Sequence, residues 1–278
     1  MTLIRSTEHL ATWRSSLLGQ SVAFVPTMGA LHAGHLKLIE IATKQCDTVV
    51  VSIYVNALQF GDSADFDGYP RSIESDYDAS MQAGATVVFA PTPADMFPPG
   101  FDNYLTPSSL ANDFEGASRP GHFAGVVTVV NRLFDLVKPD VAIFGTKDFQ
   151  QLAVIRSMSN ELHPNVKIHG VETIRDKDGL AFSSRNSRLS PTARKEAKVI
   201  PDALSSLRSE FQAGQTNCAF LKSIALKIFE TSQSMTVEYL EIVDCETLQK
   251  QEIASTGDSA VLFAGTLDGV RLIDNVEL

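Results

Sequence analysis

The chain has 278 residues, of which 44% are hydrophobic and 20% charged, a balance that can bury one large core or two smaller ones. Its formal net charge of −10 argues against broad binding to nucleic acid, which requires a basic face. No run approaches the roughly 20 apolar residues of a membrane span, and residues 1–10 lack the apolar region of a signal peptide. We therefore expect a cytoplasmic protein with neither a nucleic-acid nor a membrane partner.

The three cysteines, Cys46, Cys218 and Cys245, lie far apart and include no C-x-x-C pair. This spacing favours buried structural thiols over a disulfide framework or a zinc site.

Residues 21–171 alternate apolar runs with segments of helical spacing. The run at 48–55 is β-branched and almost entirely apolar, which is typical of a strand covered on both faces. Strands that alternate with helices form a parallel sheet, whose ligands bind at the carboxyl ends of the strands. In chain order we predict a strand at 21–25, a helix at 36–46, a strand at 48–55, a helix at 73–83, a strand at 86–90, a helix at 123–137, a strand at 141–144, a helix at 149–162 and a strand at 166–171.

A long connection rich in Pro, Gly, Asn and Ser occupies residues 91–120, and a connection of that length in a compact domain is usually functional. It ends in Arg119-Pro120-Gly121-His122-Phe123, directly before the predicted apolar helix.

The sequence after Asn186 predicts a small α+β domain. Ser190-Pro191 is a helix start signal, and we predict helices at 190–212 and 219–232, a strand at 237–243, and a hairpin of 260–267 and 270–273 that turns at Asp268-Gly269. Polar residues dominate 172–178, so we divide the chain into a catalytic domain at 1–174 and a small lid domain at 175–278.

The strongest functional signal is H-x-G-H within residues 26–35, between the first strand and the first helix. Gly29 and Gly34 let the backbone approach a nucleotide closely, and the helix N-terminus attracts phosphate. His32 and His35, three residues apart, can stabilise charge at the α-phosphate and on leaving pyrophosphate. The alternative is that both histidines have only a structural role in a turn, and the flanking glycines at a strand–helix junction disfavour it. A zinc site fails for want of further Cys or His ligands nearby.

Three further motifs follow strand ends. Asn56-Ala57-Leu58-Gln59-Phe60-Gly61 offers neutral amides for hydroxyl and carboxylate oxygens, although a single amide more often caps a loop. Gly145 to Gln151 opens a helix, where Lys147 can neutralise phosphate and Asp148 serves equally well as a cap. The turn at 178–186 has two hydroxyls and an arginine, which suit a phosphate clamp or an ordinary surface turn.

The H-x-G-H motif resembles the nucleotidyltransferase superfamily, whose members attack the α-phosphate of a nucleoside triphosphate. With the other motifs in the same order, the chain resembles the pantothenate synthetase family from about Ser21 to Ser190, and more weakly to Arg271-Leu272-Ile273-Asp274-Asn275. The resemblance implies a Rossmann-like N-terminal domain, a homodimer, and an ATP- and Mg²⁺-dependent ligase. Such an enzyme condenses pantoate with β-alanine through pantoyl adenylate and releases pyrophosphate and AMP.

The same resemblance implies roles for individual positions. His35, His32 and Lys147 would be catalytic. ATP would contact Met28, Gly29, Ala30, Leu31, His32, Ala33, Gly34, His35, Gly145, Thr146, Lys147, Asp148, Ile174, Phe182, Ser183, Ser184 and Arg185, while the substrates would meet Asn56, Gln59, Tyr69, Arg119 and Gln151.

Two positions depart from the family pattern. Ala57 stands where the family usually has proline, which restores backbone freedom to that loop. Phe182 stands where Met or Leu is common, so a larger ring precedes Ser183. No metal ligand is assigned, and Glu74 and Asp76 are the weak candidates.

Other functions remain as alternatives. A related adenylyltransferase with another acceptor is disfavoured because the Asn56, Gln59 and Gln151 amides suit a small hydroxy acid. A catalytically silent nucleotide-binding module is disfavoured because it need not retain both histidines and Lys147. A tRNA-synthetase fragment would need a basic anticodon-binding region, which this sequence lacks.

Overall fold

The computed structural model describes residues 2–61 and 66–278. The chain forms two compact units, of which the first comprises Met1–Thr146 and Gln150–Glu172 and the second Lys147–Phe149 and Thr173–Leu278. Lys147 therefore groups with the second unit, although it follows a strand of the first. The lid role expected for residues 175–278 stays a prediction.

The first unit is built on a parallel sheet with the strand order β1-β4-β3-β2-β5-β6 among the described residues. Adjacent residues of the central strand β2 enter different cores, because Val22 and Phe24 pack into one apolar cluster and Ala23 and Val25 into another. Both faces of the sheet are thus covered, as the continuous apolar runs predicted. The strands are β1 Thr2–Ile4, β2 Val22–Thr27, β3 Thr48–Ile53, β4 Val87–Phe89, β5 Val141–Gly145 and β6 Lys167–Val171.

Helices cover this sheet. The apolar helix at His122–Val137 buries most of its length, and its Phe134 packs edge-on against Phe24 with ring centroids 6.2 Å apart. None of the described helices is long and apolar enough to cross a membrane. The helices of this part of the chain are α1 Thr7–Ser16, α2 Ala33–Ala42, α3 Ile73–Gln82, α4 Pro93–Met96, α5 Glu115–Ser118, α6 His122–Val137 and α7 Phe149–Leu162.

The N-terminal strand and helix have no clear signal in the sequence. The edge strand β1 pairs only with β4 among the described strands, and three residues are too few to present a period. Helix α1 begins after Ser6, whose hydroxyl accepts the His9 N–H at 3.3 Å and so caps the helix. The connection at 91–120 also contains structure, namely α4, a 3₁₀ turn at Ser109–Ala111 and α5.

The second unit has a meander of β7 Met235–Asp244, β8 Ser259–Leu267 and β9 Val270–Glu277, all antiparallel. Asp268 and Gly269 turn the β8–β9 hairpin, both with positive φ (51° and 77°), as a tight hairpin of this hand requires. The α/β fold with a smaller α+β domain is thereby confirmed. Its helices are α8 Pro191–Glu196, α9 Val199–Gln212 and α10 Cys218–Phe229.

The prediction of a single helix at 190–212 is wrong in one respect. The chain forms two helices, α8 and α9, with a break at residues 197–198. Pro201 explains the break, since it has no N–H to donate to the carbonyl of Ala197 and its ring would clash there. The Ile200 N–H bonds that carbonyl instead, at 3.1 Å.

Candidate functional site

The strand order brings three of the predicted motifs to one edge of the first unit's sheet. Residues 28–35 follow β2, the Asn56–Gln59 turn follows β3, and Gly145 ends β5. Since β3, β2 and β5 are parallel neighbours, their carboxyl ends meet at the same edge. The site predicted from chain order therefore has its main parts side by side.

The loop between β2 and α2 is held by a buried carboxylate. Asp76, 3% exposed, accepts the N–H groups of Ala30 at 2.9 Å and Leu31 at 2.8 Å. Gly29 and Ala30 both have positive φ, 84° and 51°, and this turns the two N–H groups toward the same carboxylate. Asp76 thus fixes the segment that leads into His32. The sequence indicated Asp76 only as a weak candidate metal ligand, and this structural role has no local signal.

His32 and His35 lie together at the start of α2. Their rings stack with centroids 4.0 Å apart and an interplanar angle of 26°, and both side chains are half-buried. The His32 N–H donates a long 3.4 Å hydrogen bond to His35 Nδ1. A neutral His35 ring consequently carries its proton on Nε2, which can donate to a phosphate oxygen. The spacing of three residues predicted this pairing.

Gln59 lies directly beside the histidine loop. Its Nε2 is 3.1 Å from Met28 Sδ, and its Oε1 accepts the Asn56 Nδ2 hydrogen at 3.1 Å. Asn56 also donates to the Gly125 carbonyl at 3.0 Å and is 1% exposed. These contacts join Met28, Asn56 and Gln59 into one polar cluster at the sheet edge.

Arg119 reaches the same cluster through His122, a residue that no sequence argument assigned. His122 Nδ1 is 2.9 Å from the Gln59 carbonyl oxygen, and Arg119 Nη1 is 3.1 Å from His122 Nε2. The Arg119 guanidinium also lies 4.0 Å from the Glu115 carboxylate. One sequence feature could have indicated a role for His122. It is a polar residue directly before the predicted apolar helix, three positions after the predicted substrate residue Arg119.

Two predicted substrate-binding residues, Tyr69 and Gln151, lie outside the cluster of Met28, Asn56 and Gln59 described above. Tyr69 packs edge-on against Phe60, the residue after Gln59, with ring centroids 5.8 Å apart. Gln151 is half-buried in the first turns of α7. Its neighbour Gln150 is fully occupied with structure, because it accepts the Glu115 N–H and donates to two backbone carbonyls at 110 and 113. The pairing of Tyr69 and Gln151 with substrate stays a prediction.

The second unit gathers the other predicted phosphate ligands. A shallow cleft is lined by Lys147, Ser183, Arg185, Arg271 and Asp274, among others. Lys147, Arg185 and Arg271 are cationic, although Arg271 pairs with Glu238 at 2.7 Å. The anionic Asp274 pairs with Arg175, so the positive charge of Lys147 and Arg185 suits an anion. Lys147 Nζ is 3.9 Å from Asp148 Oδ1, and the Lys147 side chain is 17% exposed.

The segment from Ser183 to Arg185 directly follows a short hairpin that is closed between Ile174 and Phe182. The Phe182 N–H donates to the Ile174 carbonyl at 3.1 Å, and Gly179 turns the chain at φ 84°. Ser183 Oγ accepts the Arg185 N–H at 3.2 Å, so that hydroxyl also caps the 3₁₀ turn Ser184–Arg188.

An ion pair across 99 residues fastens this hairpin to the last strand. Arg175 donates to both carboxylate oxygens of Asp274, at 2.7 and 2.9 Å, and to the Asn275 carbonyl at 3.1 Å. The Asp274 side chain is 1% exposed, so the bidentate pair compensates a buried charge. Nothing local in the sequence predicted it.

The described residues contain no group of three or more His, Cys, Asp or Glu side chains that could hold a metal ion. Glu74 is exposed, and both oxygens of Asp76 already accept backbone N–H groups.

Comparison with known proteins gives a consistent assignment. The sequence matches the family model for pantoate-beta-alanine ligase over residues 2–277. Pantothenate synthetase of Neisseria meningitidis serogroup A is 44% identical over 281 residues, covering 100% of this chain and 99% of the relative. The structure resembles pantothenate synthetase from Thermus thermophilus with a TM-score of 0.94 at 42% identity, over 100% of this chain and 99% of the other.

A second structure has bound ligands. It is the pantoate-beta-alanine ligase from Francisella tularensis in complex with beta-gamma ATP and beta-alanine, which matches with a TM-score of 0.81 at 33% identity over 100% of this chain and 97% of the other. With a family model that covers nearly the whole chain, the chain belongs to the pantoate–β-alanine ligase family.

Proposed function

We propose that this protein is an ATP-dependent ligase that condenses pantoate with β-alanine to pantothenate, through pantoyl adenylate, and releases pyrophosphate and AMP. The observation that carries the proposal is the stacked His32–His35 pair at the N-terminus of α2, joined through Met28 to the amide of Gln59. A helix N-terminus with two imidazoles suits a reacting phosphate. Neutral amides beside it suit a small hydroxy acid.

The chemistry has two steps. An oxygen of the pantoate carboxylate attacks the α-phosphorus of ATP, and the bond to the bridging oxygen of the β-phosphate breaks, so pyrophosphate leaves. The β-alanine amine then attacks the activated carbonyl, an amide bond forms, and AMP leaves as the amine loses its proton. In the first step, we assign His35 Nε2–H as a donor to phosphate oxygen, with His32 beside it.

Within the second unit, the proposed role of Lys147 and of the Ser183, Ser184 and Arg185 turn is to neutralise phosphate charge. The support for this role is the cleft that Lys147, Arg185 and Arg271 line together. Gly145, Thr146, Asp148, Ile174 and Phe182 complete the proposed nucleotide contacts through their backbone or side chains. Asn56, Gln59, Tyr69, Arg119 and Gln151 are proposed to contact pantoate or β-alanine.

We also propose that Mg²⁺ takes part, carried by the phosphates of ATP. The donor set supports this form of binding, because the described residues offer no three-ligand cage and Mg²⁺ often relies on substrate phosphates with few protein carboxylates. When bound, the ion would offset charge on phosphate oxygens. A cytoplasmic homodimer is proposed from the family resemblance, and sedimentation equilibrium would measure the dimer.

The test is ATP–pyrophosphate exchange with purified protein, Mg²⁺ and pantoate, without β-alanine. We expect exchange that depends on pantoate, followed by pantothenate formation when β-alanine is added. His35→Ala and Lys147→Ala should each remove most of the exchange while the circular dichroism spectrum stays that of the folded protein.

Two results would contradict the proposal. A folded protein that binds ATP and exchanges pyrophosphate only with a different carboxylic acid would be an adenylyltransferase for another acceptor. A folded protein that binds ATP with no exchange under any acid tested would be a silent nucleotide-binding module.

A further inference from the structure

His122 is placed to control the position of Gln59. It is the first residue of α6, directly after Gly121 with φ 81°, and is 7% exposed. Its two ring nitrogens lie at hydrogen-bond distance from two different groups, the Gln59 carbonyl at 2.9 Å and the Arg119 guanidinium at 3.1 Å. The ring is therefore a link between the two residues.

The chemistry of these neighbours fixes the ring's protonation state. A carbonyl oxygen only accepts and a guanidinium only donates, so Nδ1 carries the proton and Nε2 accepts. A second proton on Nε2 would face the Arg119 N–H, at the positive end of a helix. The described charged groups in line with the ring include Arg119, which Nε2 faces, and Glu115, whose carboxylate is 4.0 Å from Arg119. These two contacts match a neutral imidazole with the less common Nδ1–H tautomer.

Helix α6 contacts the Asn56–Gln59 turn at a second point one turn later. The Gly125 carbonyl accepts the Asn56 Nδ2 hydrogen at 3.0 Å. A Cβ at Gly125 would lie 2.3 Å from the Leu58 carbonyl oxygen, so helix and turn touch backbone to backbone. His122 and Gly125 together hold the turn from which the Gln59 side chain extends toward Met28.

We propose that His122 is a positioning residue that acts as a neutral Nδ1–H imidazole, fixing Gln59 for the carboxylate substrate and transmitting the position of Arg119 to it. This inference rests on the proposed function, because it concerns the pantoate affinity of that site. Loss of the Nδ1 donor leaves the buried Gln59 carbonyl without this partner and lets the turn shift.

The experiment compares His122→Leu with His122→Asn, since the Asn amide places an N–H close to the Nδ1 position. We expect His122→Leu to raise KM for pantoate about tenfold, the scale of one lost buried hydrogen bond. KM for ATP should stay unchanged, and His122→Asn should recover most of the pantoate affinity. His163→Leu is the matched control. The His163 ring also bonds a residue of α6, since its Nε2 is 2.7 Å from Asn131 Oδ1, but it makes no hydrogen bond to Gln59. We expect this variant to leave KM for pantoate unchanged.

Equal pantoate KM values for His122→Leu and His122→Asn would overturn the proposal, as would a parallel rise in KM for ATP. A second measurement does not depend on catalysis. The ¹⁵N chemical shifts of the His122 ring should report the Nδ1–H tautomer at neutral pH, and an Nε2–H ring would equally overturn it. If the wild-type protein shows no pantoate-dependent exchange while the tautomer is as expected, the proposed function fails and the ring assignment stands.

Discussion

The side-chain amide of Asn275 donates a 2.8 Å hydrogen bond to the backbone carbonyl of Lys147. Asn275 is 6% exposed and follows Asp274, whose carboxylate holds Arg175. The last strand therefore fixes the backbone from which Lys147 extends, within the same unit.

Replacing Asn275 with alanine should impair adenylation more than stability. We expect Asn275→Ala to lower the exchange rate about tenfold, because a partly buried carbonyl loses its donor and Lys147 loses its fixed position. The measurement is pantoate-dependent ATP–pyrophosphate exchange at saturating substrates.

Asn217→Ala serves as the control for Asn275→Ala. Asn217 caps α10 in the same unit by accepting the Phe220 N–H at 2.9 Å, so its loss should cost about 1 kcal/mol of stability with normal exchange. Normal exchange in Asn275→Ala, with a similar loss of stability, would reduce Asn275 to a purely structural residue.

Gly29 cannot be replaced without displacing the histidine loop. A Cβ there would lie 2.8 Å from Asp76 Oδ2 and 3.1 Å from Ile53 Cγ2, and φ is 84°. We expect Gly29→Ala to reduce exchange by at least about tenfold, since a displacement of the order of 1 Å at reacting groups has effects of this size or more.

Gly19→Ala is the control that distinguishes the steric clash with Asp76 from the strain of a positive φ at alanine. Gly19 has φ 73° but no neighbouring atom within 4 Å of its added Cβ, so both variants strain a left-handed alanine and only Gly29→Ala collides. Equal exchange rates in the two variants would show that the Asp76 contact does not matter for the reaction.

The Cys245 thiol should react slowly with alkylating reagents at neutral pH. Burial, supported by nearby carboxylates including Glu277 and Asp258, raises the pKa of this thiol from 9.0 to about 11. Because the thiolate is the reactive form, alkylation of Cys245 by iodoacetamide at pH 8 should be about a hundredfold slower than for a thiol of ordinary pKa. The rate should rise about tenfold per pH unit up to pH 10 and level off only above about 11.

Peptide mapping by mass spectrometry measures the alkylation rate of Cys245. Glu277→Gln should speed the reaction, because it removes a negative charge that raises the pKa. The same shift has a consequence for stability, since the neutral thiol favours the folded state below pH 9 and that contribution is lost as the pH rises through 11. A rate that levels off near pH 9 in the folded protein would contradict the assignment.

Local patterns predicted the parts of this protein that depend on local physics. Apolar runs and helical spacing predicted the order of strands and helices, and a spacing of three residues placed His32 beside His35. The Asp76 contact with Leu31 spans 45 residues and the Arg175–Asp274 pair spans 99, so neither has a signal in the local sequence. His122 was missed for a different reason, because its role depends on which nitrogen faces which neighbour.

Ala57 offers a test of the family pattern on this chain. It is exposed, and it opens the 3₁₀ turn Ala57–Gln59 after Asn56, whose φ of −87° and ψ of 107° are extended. An extended residue is compatible with a following proline, and the first position of a helical turn tolerates one. Ala57→Pro should therefore stabilise the folded state by about 0.4–1 kcal/mol, by restricting the unfolded chain.

Differential scanning calorimetry measures the stability change, and pantoate KM should fall or stay constant because the Gln59 turn becomes stiffer. Leu58→Pro is the matched control, since the Leu58 N–H donates to Asn56 Oδ1 at 3.3 Å and proline would remove that donor. We expect Leu58→Pro to lower the melting temperature and raise KM for pantoate. If Ala57→Pro destabilises the protein as Leu58→Pro does, the turn needs the freedom that alanine provides, and the departure from the family pattern is an adaptation of this loop.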